Sequence, residues 1–124
     1  MFIKYSNLII KMVYTVHTTK TFEKEVEKLE FDKQKRIAKL YFKLKDNPYA
    51  GDQLRYKFFR EKRLDEKRIY YLVYDDIKIV LMVGISDKKD QLKTISFIVR
   101  YFDEFRKYAE KLRELSGSSH STGF

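Results

Sequence analysis

Basic side chains cluster in two short segments of this 124-residue chain, beside stretches that are otherwise typical of buried strands. The segments REKRLDEKR and DKK supply them: Arg60, Lys62, Arg63, Lys67, Arg68, Lys88 and Lys89. An arginine fork binds two phosphate oxygens at once, and a lysine can serve as a base when neighbouring cations lower its pKa. Such a set supports metal-independent RNA cleavage, in which a base takes the ribose 2′-hydroxyl proton and cations stabilise the growing phosphorane charge. The alternative is that these cations only solvate the surface, as charge runs usually do.

The composition favours an anionic partner. The formal net charge is +9 and the isoelectric point is about 9.6, which suits a nucleic acid, an acidic protein segment or a membrane surface. Cysteine is absent, so there is no disulfide framework and no thiolate chemistry, which fits a cytoplasmic protein. The N-terminal stretch MFIKYSNLIIKMVYTV has no hydrophobic run of membrane-spanning length, so we expect no membrane partner.

The first half of the chain predicts a strand followed by a helical hairpin. The alternation in MVYTVHTT indicates a strand, after which Thr18 or Thr19 can cap a helix. Two apolar stripes with helical spacing follow: Phe22, Val26 and Leu29, then Ile37, Leu40, Tyr41 and Leu44. The second helix must end at DNPYAG, because Asn47 precedes Pro48.

The middle of the chain predicts three antiparallel strands, at residues 53–59, 68–75 and 77–86. A hairpin loop would run from Arg60 to Lys67, and Asp75 and Asp76 would form a tight turn. Because the helical hairpin covers one face of the sheet, we expect the other face to be open. The basic groups at residues 60–63, 67–68 and 88–89 should then gather at one end of the sheet.

From about Lys89 the apolar period is helical again and extends to Leu115, which predicts one long helix. We expect this helix to pack on the sheet or on the helical hairpin, although its outer end could pair with a second copy of the chain. The order of elements indicates a single α+β domain at residues 13–115. Residues 1–12 would be an extension or an added strand, and residues 116–124 a disordered tail.

Other kinds of site have little support in the sequence. There is no glycine-rich phosphate loop, no zinc-ligand spacing and no nucleophile elbow, so we expect no cofactor and no metal. His17 lies in a predicted strand without an evident partner and is better explained as a packed histidine. Asp75 and Asp76 are better explained as turn residues than as an acid pair.

Four stretches of the chain resemble the RelE/ParE superfamily of toxins of type II toxin–antitoxin systems, and archaeal RelE-like members most of all. They are FEKEVEKL, KLKDNPYAGDQL, REKRLDEKRIYYLVYDD and IVLMVGISDKKDQLKTI, which span roughly residues 13–100 in order. The resemblance implies a RelE-like fold of the microbial RNase type, with a strand, a helical hairpin, a three-stranded antiparallel meander and a C-terminal helix. It also implies a metal-independent endonuclease that cuts messenger RNA in the ribosome, and a cognate antitoxin that blocks it.

The resemblance assigns roles residue by residue. Arg68 matches the arginine that stabilises transition-state charge, and Arg60 and Lys62 match basic residues of the preceding strand. Lys88 or Lys89 matches the basic residue after the last strand. The candidate catalytic residues are therefore Arg60, Lys62, Arg68 and Lys88. The candidate RNA-binding residues are Arg63, Lys67, Tyr70 and Lys89. Arg63 is also the alternative to Arg60 and Lys62 as the residue that matches the catalytic position on this strand.

One departure from the family pattern concerns a tyrosine that well-studied members carry shortly after the last strand. This region reads QLKTI here, and Thr94 cannot replace a stacking, proton-donating tyrosine. Two alternatives to the endonuclease therefore stay open. One is a ParE-like gyrase inhibitor or a toxin fold that binds without cutting, and the other is a general nucleic-acid-binding protein with steep salt dependence.

Overall fold

The computed structural model of the chain describes residues 13–117, so the predictions for residues 1–12 and for residues 118–124 of the tail lie outside it. The strands are β1 (Thr15–Thr18), β2 (Asp52–Gln53), β3 (Phe59–Leu64), β4 (Lys67–Tyr74) and β5 (Ile79–Asp87). The helices are α1 (Lys20–Glu27), α2 (Phe31–Asp46), α3 (Gln91–Arg100) and α4 (Phe102–Gly117), and a 3-10 turn (Lys88–Asp90) precedes α3. No helix in this range is long and apolar enough to cross a membrane.

The predicted strand and helical hairpin of the first half are confirmed. The Thr19 hydroxyl accepts a hydrogen bond from the backbone N–H of Phe22 at 3.1 Å, which caps α1. Helix α2 ends at Asp46, just before the residue that precedes Pro48. Both helices pack on one face of the sheet, which we call the hairpin face. Its buried residues include Phe22, Ile37, Leu40, Leu44, Ile69, Tyr71, Val73 and Met82.

The strands form one sheet in the order β1-β5-β4-β3-β2, and the α+β class is confirmed. Strand β1 runs parallel to β5, and the other neighbouring strands are antiparallel. The β1–β5 pairing ends at Met82, whereas β5 continues to Asp87. Within the described part of the chain, the last residues of β5 therefore form an open sheet edge.

The prediction for residues 53–67 is wrong in its boundaries. Residues 54–58 form a turn between β2 and β3, and most of the stretch expected to be a hairpin loop is strand β3. Asp65 and Glu66 turn the chain into β4, and Asp65 has the positive φ, 57°, that a short hairpin turn requires. Polarity suggested a loop, but charged side chains are also common on strands near a sheet edge.

The single long C-terminal helix is likewise corrected to two helices, α3 and α4, which are separated at Tyr101. The backbone of Tyr101 leaves the helical region, with φ −105° and ψ 20°, although its N–H still bonds to the Ile98 carbonyl. The turn between β4 and β5 is also longer than the predicted pair of aspartates. Tyr74 pairs with Ile79, so four residues lie between the two strands.

The expectation of an open sheet face is wrong. Helices α3 and α4 cover the side opposite the hairpin, which we call the second face. Its buried residues include Phe59, Tyr70, Leu72, Tyr74, Leu81, Ile95, Ile98, Ala109 and Leu112. The C-terminal stripe therefore packs on the sheet, as the sequence suggested. Strand β4 is consequently enclosed on both faces, and every residue from Arg68 to Tyr74 is buried.

Gly51 lies where the segment after α2 approaches the sheet closely. A Cβ at this position would lie 2.6 Å from the Glu61 carbonyl oxygen and 2.8 Å from the Tyr71 hydroxyl. We expect Gly51→Ala to lower the free energy of unfolding by about 1–3 kcal/mol, the usual cost of overpacking. Gly84→Ala is the matched control, because its Cβ would meet the flexible Ile98 side chain at 3.4 Å. Equal melting temperatures for Gly51→Ala and the wild type would contradict this expectation.

Asp75 ties together three segments that are far apart in sequence. Its carboxylate accepts hydrogen bonds from the hydroxyls of Tyr14, before β1, and Tyr49, after α2, each at 2.7 Å. Burial alone would raise the pKa of Asp75, but the two hydrogen bonds and the charges of Lys78 and Lys57 together lower that pKa. Burial and the contact with Asp75 in turn raise the pKa of Tyr14 to about 12.

We expect Asp75→Asn to destabilise the fold by about 1 kcal/mol at neutral pH, a modest value because the carboxylate is exposed. The folded-state pKa of Asp75 lies below its unfolded value of about 3.9. Its stabilising effect is therefore present above that value and is lost as the pH falls through the folded-state pKa. Urea unfolding of both proteins at neutral and at acidic pH measures this, and a difference that persists in acid would count against it.

Candidate functional site

The predicted catalytic residues do not lie together, because strand alternation divides them between the two faces of the sheet. Arg60 pairs across the ladder with Tyr71 and Lys62 pairs with Ile69, which places both on the hairpin face. Arg68 lies on the second face. The predicted convergence of Arg60 and Lys62 with Arg68 is therefore wrong.

Arg60 is engaged in holding the chain that follows α2. Its guanidinium donates hydrogen bonds to the carbonyl oxygens of Tyr49, Gly51 and Lys57, at distances of 2.8 to 3.3 Å. It also lies over the Tyr49 ring, 5.1 Å from the ring centre. These contacts fix the turn that precedes β2, so the position of Arg60 is explained by folding alone.

Arg68 belongs to a buried polar cluster on the second face, under the start of α3. Its side chain is 8% exposed, and its guanidinium lies 3.7 Å from the Glu61 carboxylate. The Gln91 amide donates a hydrogen bond to the other Glu61 oxygen at 2.8 Å. Arg68 Nε has no hydrogen-bond partner among the described residues. An arginine that retains an unused donor next to a carboxylate is unusual in a protein interior and marks a functional candidate.

Tyr70 and Ser86 extend this cluster along the same face. Their hydroxyls share a hydrogen bond of 2.9 Å. Burial raises the pKa of Tyr70, although the contact with Ser86 opposes the shift. Glu61, Arg68 and Tyr70 together offer a carboxylate base, a cation for phosphate and a hydroxyl donor. Sequence reasoning missed Glu61, because only the pairing of Glu61 with Tyr70 across β3 and β4 shows which face it occupies.

A cleft of about 530 Å³ adjoins the cluster, between α1, the open edge of β5 and α3. Ser86 lines this cleft and so connects it with the cluster. Lys28 and Lys93 stand on the walls formed by α1 and α3. Lys67, a predicted RNA-binding residue, also lines the cleft but pairs with Asp87 at 2.8 Å. Lys28 interacts with the Glu25 carboxyl, whereas Lys93 has no carboxylate partner among the described residues.

Two other residues add chemical features to the cleft, an exposed aromatic ring and a perturbed carboxyl. Phe97 is 55% exposed and packs against Tyr101 with ring centres 4.7 Å apart, a surface on which a base could stack. Burial raises the pKa of Glu25, although the Ile85 backbone and Lys28 oppose the shift. A raised carboxyl pKa in a cleft is typical of acid–base groups. Thr94, where a family tyrosine was expected, lines the same cleft.

The remaining predicted residues lie at the surface near this end of the sheet. Arg63 pairs across the ladder with Arg68 and is exposed, as are Lys88 and Lys89 in the turn before α3. Lys88 and Arg63 have no carboxylate partner within residues 13–117. In the same range, no three histidine or acidic side chains lie close enough together to hold a metal ion.

The fold is that of RelE toxins. A double mutant of the RelE toxin of Escherichia coli in its free state aligns with a TM-score of 0.59 at 17% identity, over 67% of this chain and 93% of that one. RelE in the archaeal RelE–RelB complex of Pyrococcus horikoshii gives 0.54 at 20% identity, over 62% and 97%. The RelBE2 toxin–antitoxin complex of Mycobacterium tuberculosis gives 0.54 at 22% identity, over 62% and 93%. No protein-family model and no curated protein sequence matches the chain.

These structures confirm, at the level of the fold, the resemblance to RelE toxins that the sequence suggested. They align over nearly their whole length, while part of this chain has no counterpart in them. This chain is therefore a RelE fold with additional segments.

The buried pair of Glu61 and Arg68 leads to a stability prediction. We expect Glu61→Gln to lower the free energy of unfolding by about 3–5 kcal/mol, because it leaves the Arg68 charge buried without a carboxylate. Adding Arg68→Met should recover part of this loss, with a coupling energy of about 0.5–3 kcal/mol.

The exposed pair of Asp65 and Arg36 provides the control for this double-mutant cycle. Asp65→Asn should cost at most about 1 kcal/mol, since surface ion pairs contribute little and asparagine tolerates the positive φ of this position. Urea unfolding measures all of these variants. Strictly additive losses at Glu61 and Arg68 would show that the two side chains do not interact.

Proposed function

We propose that this chain is the toxin of a toxin–antitoxin pair and that its target is RNA. The observation that carries the proposal is the alignment with RelE toxins over 93% to 97% of their length. The net charge of +9 agrees with an RNA target, as do Lys28 and Lys93 beside the exposed ring of Phe97. The site of action would be messenger RNA on the ribosome, in the cytoplasm.

A cognate antitoxin is the protein partner that this proposal requires. Two of the similar structures are complexes of a RelE-type toxin with its antitoxin. An antitoxin that occupies the cleft beside β5 would keep RNA away from Lys28, Lys93 and Phe97. The open edge of β5 adds backbone hydrogen-bonding groups to that surface.

The finer proposal is metal-independent cleavage of the bound RNA. In this mechanism Glu61 accepts the 2′-hydroxyl proton, Arg68 stabilises the phosphorane charge, and Tyr70 with Ser86 supplies a proton to the leaving oxygen. Lys88 and Arg63 would hold flanking phosphates. The phosphate reaches Arg68 only when Gln91 and the start of α3 move away, because Arg68 is 6% exposed.

A second candidate function is arrest of translation by binding without cutting. Two observations favour it: Arg60 and Lys62 lie on the opposite face of the sheet from Arg68, and Arg68 is neutralised by Glu61. The two candidates differ in a single product, because only the endonuclease creates new messenger RNA ends.

The test is a translation extract supplied with purified protein, followed by mapping of messenger RNA ends on stalled ribosomes. Arg68→Ala would leave Glu61 buried without a cation, so we choose Arg68→Lys, which keeps the charge but loses the planar fork. We expect the wild type to cut and Arg68→Lys to cut at least about 100-fold more slowly. Lys111→Gln, at an exposed position on α4, is the control and should cut like the wild type.

Each outcome decides one part of the proposal. Undiminished cleavage by a folded Arg68→Lys protein would remove Arg68 from the reaction. Arrest by the wild type without new messenger RNA ends would establish the second candidate. An extract that translates normally in the presence of the wild type would contradict the proposed toxin function itself.

A further inference from the structure

A basic groove of about 490 Å³ lies on the hairpin face, between α2 and the outer edge of β3. We call it the α2–β3 groove. The cations that line it from the hairpin face are Arg36, Lys39, Lys43 and Lys62, and Asp32 is the one acidic residue in its lining. Arg63 also borders the groove, but its pairing with Arg68 places its side chain on the second face. Arg36, Lys39 and Lys43 follow each other at intervals of three and four residues, so they form a row along one side of α2. Strand β3 supplies the opposite wall.

Most of these cations are not neutralised by the protein. Arg36 is paired with Asp65, with 2.7 Å between nitrogen and oxygen. The others, Lys39, Lys43 and Lys62, have no ion pair or side-chain hydrogen bond within residues 13–117. Three like charges held around one groove repel each other, which lowers stability unless an anion binds there.

The lining of the groove favours a phosphate backbone over an acidic protein segment. Its apolar floor is already covered, since Ile37, Leu40, Leu64 and Ile69 are each at most 8% exposed. An amphipathic peptide would therefore gain little apolar burial there. None of the described lining residues is aromatic, so bases have no ring to stack on. What the groove offers is charge alone, which is the sequence-independent part of nucleic-acid binding.

We propose that the α2–β3 groove binds the phosphate backbone of RNA without reading its bases. The identity of the polyanion as RNA rests on the proposed function. Lys62 then serves as a backbone contact on the hairpin face rather than as a catalytic group beside Arg68. RNA would be held at two separate surfaces, the α2–β3 groove and the cleft beside β5.

The test compares two double variants that remove the same charge from exposed helical positions. Lys39→Gln with Lys43→Gln alters the groove, and Lys107→Gln with Lys111→Gln alters α4 at the same spacing. Binding of a fluorescein-labelled oligouridine is followed by anisotropy between about 50 and 200 mM salt. We expect the groove variant to bind more weakly and its log–log salt slope to fall by about 2, one for each lost phosphate contact. The α4 variant should keep the wild-type slope.

Three results would overturn the proposal. The first is an equal loss of slope in both variants, which would mean that only net charge matters. The second is oligouridine binding that the groove variant retains in full. The third is loss of binding to a polyglutamate peptide but not to oligouridine, which would make the partner an acidic protein.

The proposed toxin function is tested separately, by translation arrest with the wild-type chain. Absence of arrest counts against that function, whereas the salt slopes alone decide the groove. A groove that binds oligouridine in a protein that does not arrest translation would keep this inference and remove the toxin function.

Discussion

The ion pair between Arg68 and Glu61 is the interaction on which the functional site depends. Strand β4 is enclosed by helices on both faces, so a charge on it must be compensated inside the protein. Glu61 on the neighbouring strand is the carboxylate that does this, and the Gln91 amide donates a hydrogen bond to it. The polar cluster is thereby fixed at one end of the sheet, next to the cleft, while the rest of the second face is apolar.

Strand alternation also divides the charged residues of β3 between the two faces of the sheet. Residues of β3 on one side of the strand, such as Glu61, join the cluster under α3, while Lys62 opens into the α2–β3 groove. A charge-rich strand thus serves two surfaces at once. The sealed pair is suited to chemistry in a dry environment, and the exposed cations are suited to holding an extended polyanion.

Much of the fold follows from the sequence, because apolar periods of two and of 3.6 residues are strong signals in β4, β5 and the helical hairpin. The break at Tyr101 does not, since the apolar stripe continues through it from α3 into α4. Glu61 was missed for a related reason. It stands between Arg60 and Lys62 and looks solvated, until the pairing of β3 with β4 places it beside Arg68. The sequence identified the basic residues by type. It did not show their division between two faces, because it did not show that helices cover the second face.

Selective modification of arginine side chains tests the enclosure of the Arg68–Glu61 pair most directly. Arg63 and Arg68 pair across β3 and β4, yet Arg63 is exposed and Arg68 is only 6% exposed. When the folded protein is treated with phenylglyoxal and its peptides are analysed by mass spectrometry, we expect Arg63 to be modified and Arg68 to stay intact. Modification of Arg68 as fast as Arg63 in the folded protein would contradict the sealed ion pair and the covered second face.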